Sequence, residues 1–135
     1  MKPKLEGLAP LLAVFDMPTS MAFYRDVLGF EVVATSPPRG PDDFDWVLLR
    51  LEGIELMLNT AHDFDERPPA PAPDRIDAHR DTALFFGCRD LDSAYDYLHA
   101  KGIDLERPKV AYYGMKQLWF ADPDGYVICL QWPAG

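Results

Sequence analysis

Few side chains in this sequence have the type and setting for acid–base, nucleophilic or metal chemistry. Glu55 stands inside an apolar run, Ile54-Glu-Leu-Met-Leu-Asn59. A carboxylate in apolar surroundings loses hydration and can serve as a general acid or base. The alternatives are a hydrogen bond to Asn59, Gln131 or a tyrosine hydroxyl, or simple exposure to water. Cys88 and Cys129 are the two cysteines, and they do not form a CxxC pair. They read as small buried hydrophobes of a protein kept in a reducing compartment, so a cytoplasmic location is expected. His62 and His79 border a proline-rich stretch, and His99 falls on the exposed side of a helix. A remodelled metal site drawing on Glu55, His62 and His79 is the main way these residues could combine.

The remaining acids read as a solvated surface. Thirteen Lys plus Arg against 22 Asp plus Glu give a net charge of −9, which opposes binding to nucleic-acid phosphates. Many of the acids, among them Asp42, Asp43, Asp45, Asp63, Asp65 and Glu66, fall in loops. No apolar run is long enough to span a bilayer as a helix, and the first residues lack the apolar core of a secretory signal. A membrane partner is not expected.

Elements that would position these residues can be read along the chain. Leu8 to Phe15 suits a strand, and Asp16-Met-Pro-Thr-Ser is a capped helix entry. Met17, Met21, Tyr24 and Leu28 share one helical face, and Gly29 closes the helix. Phe30 to Thr35 is β-rich, and Trp46–Leu51 and Ile54–Asn59 form a hairpin about Glu52-Gly53. Residues 60–81 carry Pro68, Pro69, Pro71 and Pro73 and read as a stiff, extended connector between two units. The same order then recurs: a strand at Thr82–Cys88, a helix at Asp90–Lys101 and a short strand near Lys109–Tyr113. A final hairpin, Lys116–Ala121 and Tyr126–Trp132, turns on Asp122-Pro-Asp-Gly125.

Adding 74 carries Asp16 to Asp90, Met21 to Tyr95 and the strand at Ile54 onto that at Ile128. The chain therefore reads as one α+β domain, residues 1–135, built from two βαβββ modules. Module 1 covers about 6–60, the connector 60–81 and module 2 about 82–133.

Met21-Ala-Phe-Tyr-Arg-Asp-Val-Leu-Gly-Phe30 and Phe120-Ala-Asp-Pro-Asp-Gly-Tyr-Val-Ile128 resemble the first helix and the last hairpin of the vicinal oxygen chelate superfamily. That group includes glyoxalases, extradiol dioxygenases and bleomycin-resistance proteins. The resemblance implies eight strands curled into a partly open barrel around a cleft, with the helices outside. It also implies four metal-ligand positions, near Ala9 and Ala83 on the first strands and at Glu55 and Cys129 on the last. Glu55 alone keeps a hard-metal donor, so the standard divalent-metal site is expected to be lost and no cofactor is expected.

If Glu55 faces the cleft, alternation turns Met57 and Asn59 the same way, with Leu11, Ala13, Phe85, Cys129 and Gln131. Tyr112, Tyr113, Trp46 and Trp119 extend this mostly apolar lining, although alternation alone leaves the faces of both tryptophans open. Aromatic faces beside a carboxylate suit a cationic or flat heteroaromatic molecule. The expected function is metal-independent sequestration of a small organic ligand, closest in character to the bleomycin-resistance branch. The alternatives are a metal- or Glu55-dependent lyase, isomerase or dioxygenase, and a structural partner domain with a plugged cleft. A homodimer is expected, with the modules paired either within one chain or across two.

Overall fold

A computed structural model describes residues 1–135, which form two compact units, Met1–Pro69 and Ala70–Gly135. Unit 1 contains β1 (Leu11–Val14), α1 (Met17–Met21, continued by π turns over Ala22–Val27), β2 (Glu31–Thr35), β3 (Trp46–Leu51) and β4 (Ile54–Thr60). Its four-stranded sheet has the order β1-β4-β3-β2, with β1 parallel to β4 and the other pairs antiparallel. Unit 2 contains α2 (Pro73–Ala78, continued by a 3-10 turn over His79–Asp81), β5 (Ala83–Gly87), α3 (Leu91–Ala100), β6 (Lys109–Val110), β7 (Met115–Ala121) and β8 (Val127–Pro133). Its sheet has the equivalent order β5-β8-β7-β6, again with one parallel pair. The α+β class and the duplicated βαβββ order are as expected.

Both module helices start in the same way. The Asp16 carboxylate accepts from the Thr19 amide at 3.1 Å, and the Asp90 carboxylate accepts from the Ser93 amide at 3.0 Å, satisfying donors that have no partner inside the helix. The apolar stripe of α1 lies on β4, and that of α3 on β7 and β8. In unit 1 this buries Leu12, Val14, Met17, Met21, Tyr24, Val47, Leu49, Leu56 and Leu58; in unit 2 it buries Leu91, Leu98, Leu118, Phe120 and Ile128. The core residues of each strand alternate with residues on the opposite sheet face, and that second face is where the candidate site lies.

Two expectations need correction. Residues 73–81, read as extended connector, are helical, because Pro73 occupies the first turn, where its missing N–H and fixed φ are no handicap. The uniform offset of 74 also fails in the sheets. It relates the caps and carries Leu11 to Phe85, but Leu11 pairs with Met57 and Phe85 with Cys129, an offset of 72 between the last strands. Glu55 and Cys129 are therefore not equivalent by strand pairing; the residue that corresponds to Glu55 is Val127.

Candidate functional site

In unit 1, cross-strand pairing decides which predicted residues share a face. Leu11 opposes Met57, which opposes Leu48; Ala13 opposes Asn59, which opposes Trp46; and Glu55 opposes Arg50. Directly opposed residues point the same way, so Leu11, Ala13, Trp46, Glu55, Met57 and Asn59 do lie together, and the face of Trp46 is settled. Glu55, however, is not a lone carboxylate. Arg50 donates to its Oε2 at 2.8 Å, and the side chains keep 51% and 39% of their exposure, so the pair is a surface ion pair. The Asn59 amide is turned to the carbonyl of Thr60 at 3.2 Å. This face therefore offers a ligand mainly apolar contact.

Unit 1 also has a hollow of about 270 Å³, lined by residues that include Phe15, Asp16, Arg39, His62, Phe64 and Arg67. Its cations are already engaged. Arg39 bonds Asp45 at 2.8 Å and lies over the Phe64 ring at 4.4 Å, while Arg67 pairs with Asp16 and lies over Phe15 at 5.2 Å.

Unit 2 carries a different arrangement. Phe85 opposes Cys129, and Cys129 opposes Trp119, making one row across β5, β8 and β7. The outer two rings meet edge to face at 5.3 Å, and Cys129 between them is fully buried. Desolvation pushes its thiol up to about 11, so it is a neutral hydrophobe at physiological pH. The next row holds Gln117 opposite Gln131. Gln117 Nε2 donates to Gln131 Oε1 at 3.0 Å and to the Tyr113 hydroxyl at 2.6 Å, and Trp119 Nε1 donates to Gln117 Oε1 at 3.3 Å. Tyr113 joins this network, whereas Tyr112 is fully exposed and touches the Tyr113 ring edge-on at 5.1 Å.

Trp119 borders two hollows. One, of about 350 Å³, is lined by Asp104, Leu105, Glu106, Arg107, Lys109, Gln117 and Trp119. The other, of about 490 Å³, lies between α2 and the β7–β8 hairpin. The indole is 44% exposed and Tyr113 is 55% exposed, large apolar surface set around a buried amide. A face plugged by its own aromatic rings would have hidden them.

The metal positions implied by the family resemblance do not fit an ion. Ala9 and Ala83 have no donor atom, Glu55 is paired with Arg50, and Cys129 is sealed beneath two rings. No group of three or more His, Cys, Asp or Glu side chains is gathered in a way that could hold a metal. His79 instead stacks on Tyr126 at 3.9 Å, with its Nδ1 2.7 Å from the Asp124 carbonyl, and His62 meets Phe15 edge-on. No helix is long and apolar enough to cross a membrane.

Arg50 and Gln117 are the site residues that sequence reasoning missed. The two-residue turn Glu52-Gly53 already places Arg50 opposite Glu55, and Gln117 lies two residues from Trp119 on the same face.

A family model described as the Glyoxalase/Bleomycin resistance protein/Dioxygenase superfamily matches residues 8–130. The chain belongs to this superfamily. Among solved structures, the chain is similar to SMU.1112c, at 29% identity with a TM-score of 0.71, covering 96% of this chain and 100% of that one. It is also similar to TnmS3, an antibiotic binding protein from Streptomyces sp. CB03234, at 24% identity with a TM-score of 0.69, covering 98% and 99%. A lactoylglutathione lyase from Agrobacterium tumefaciens is similar at 21% identity with a TM-score of 0.66, covering 96% and 95%. No curated protein matches the chain significantly. Structures similar to this chain thus include an antibiotic binding protein and a lyase, and the fold does not choose between them.

Proposed function

We propose that this superfamily member is a metal-independent binding protein that holds a flat organic molecule on the sheet face of unit 2. The observation that carries this reading is the Phe85–Trp119 ring pair beside the Gln117–Gln131–Tyr113 hydrogen-bonded chain. Exposed rings supply a stacking surface, and fixed amides supply directional recognition, the composition of an organic-ligand pocket. A cationic ligand is disfavoured relative to the sequence expectation, because Arg50 neutralises Glu55. The same ion pair removes the support for Glu55 as a general base. The antibiotic-binding neighbour agrees with this choice without deciding it.

The test is calorimetric titration of EDTA-treated protein with 2-naphthamide and a panel of uncharged planar heteroaromatics. Binding is expected in EDTA, weakened about tenfold or more in Trp119→Ala, which loses the stacking surface. Gln131→Leu is expected to weaken the ligands that carry a carbonyl or hydroxyl, because both N–H groups of the buried Gln117 are already donated to Gln131 and Tyr113. If no compound of the panel binds, the reading fails. If binding vanishes with EDTA and returns with Zn²⁺, its metal-independent part fails.

A further inference from the structure

The larger hollow beside Trp119 has a construction of its own. Its walls are Ile76 and Arg80 from the connector helix and its 3-10 extension, and Trp119, Phe120, Ala121, Asp122, Pro123, Gly125 and Val127 from the hairpin. Ala121 opposes Val127, and Val127 opposes Ala83, so the row next to the Phe85–Cys129–Trp119 row is made of small side chains. A step down from rings to small residues leaves a shelf with an indole at its edge.

The helix that forms the other wall is fixed in place. Arg75 donates to Asp124 Oδ1 at 2.7 Å, with the Asp124 side chain 2% exposed. His79 stacks on Tyr126, and Gly125 approaches Ile76 so closely that a Cβ there would lie 2.5 Å from the Ile76 carbonyl oxygen. The hollow is therefore held open by packing within unit 2.

Of the two charged side chains in its lining, Asp122 is buried and Arg80 is exposed. Asp122 Oδ1 is turned into its own turn, accepting from the Asp124 and Tyr126 amides at 2.9 Å each. Arg80 reaches Asp77 at a long 3.8 Å, with both side chains largely exposed, so its guanidinium can exchange that contact for another anion at little cost. Apolar walls with a single loosely held guanidinium at the mouth match a ring system that bears a carboxylate.

We infer that this hollow is a binding site for an aromatic carboxylate, with the ring on the Ala121–Val127 shelf against Trp119 and the carboxylate at Arg80. The inference rests on the reading of Trp119 as a ligand platform and adds the ligand's charge and the residue that selects it.

The experiment compares 2-naphthoate with its neutral isostere 2-naphthamide by calorimetry on the full chain at low ionic strength. Wild type is expected to bind naphthoate more tightly than naphthamide. Arg80→Gln is expected to weaken naphthoate about tenfold, the scale of one charge-assisted hydrogen bond, and to leave naphthamide unchanged. Ala121→Phe, which fills the shelf on an exposed strand position, is expected to abolish naphthoate binding with the far-UV spectrum intact. Equal affinity of both compounds, or an unaltered naphthoate affinity in Arg80→Gln, would overturn the carboxylate assignment and leave the binding-protein reading standing. If neither compound binds wild type, both are overturned.

Discussion

Cys129 is a thiol enclosed by its neighbours on the sheet. Its folded-state value of about 11 lies above the 9.0 of a free thiol, so between these values the unfolded chain is ionised while the native one keeps its proton. Stability must then fall as pH rises through that window, by an amount on the order of 2 kcal/mol. Cys129→Ala lacks the group. It should be less stable than wild type at pH 7 because of the cavity it creates, and the gap should narrow towards pH 11 in urea denaturation. A constant gap would mean the thiol titrates alike in both states. At this scale the sequence is partly legible. The hairpin Trp46–Thr60 contains the Arg50–Glu55 pairing for anyone who counts across its two-residue turn. The face of Trp119 does not follow so easily. A strand beginning at Tyr126 would set Trp119 opposite Ile128, whereas the observed loop Asp122–Tyr126 pairs Ala121 with Val127 and sets Trp119 opposite Cys129. One residue of loop length reverses a side chain's direction.

Among the elements, caps and turns are the most legible parts. Asp16 and Asp90 each accept from a backbone amide three residues on, and Gly29, Gly102 and Gly125 all take positive φ where a helix or turn ends. Burial works against ionisation of Asp16, but hydrogen bonds from Thr19 and Arg67 outweigh it and hold the carboxyl below its ordinary value. Its contribution is present at neutral pH and is lost as pH falls through the carboxylate range. Asp16→Ala should cost about 1 kcal/mol at pH 7 and much less at pH 2.5, as thermal melts at the two pH values will show. The connector is the less legible element. Four prolines within six residues suggest an extended chain, yet the last of them begins a helix, and what holds that helix is a distant hairpin that local propensity cannot reveal. Gly125→Ala combines a left-handed backbone with a clash on the Ile76 carbonyl. It should lower the melting temperature and, by loosening the helix, speed tryptic cleavage after Arg75 and Arg80. Wild-type cleavage rates in this variant would contradict the role given to the close approach.

For the whole molecule, the duplication and the α+β class are legible because alternation, caps and turn signals recur in the same order in both halves. The slip from 74 to 72 is not, since pairing between the first and last strands of a module is set by tertiary packing. Association is a proposal at this scale. The chain exposes Leu11 on the sheet face of unit 1 and Val32 and Val33 on β2, apolar surface that a second copy could cover. Two copies each carrying −9 repel one another, so any homodimer should strengthen as salt screens that charge. Sedimentation should give a larger dimer fraction in 500 mM than in 50 mM NaCl, and a monomer under both conditions would refute the pairing.

Trp119 belongs to two compartments at once, a party wall between the hollow edged by Asp104, Glu106, Arg107 and Lys109 and the shelf beneath the connector helix. A guest that fixes the tilt of the indole on one side also sets the width available on the other. Two guests would therefore sense each other without touching, and by linkage the help or hindrance each gives its neighbour is equal in both directions.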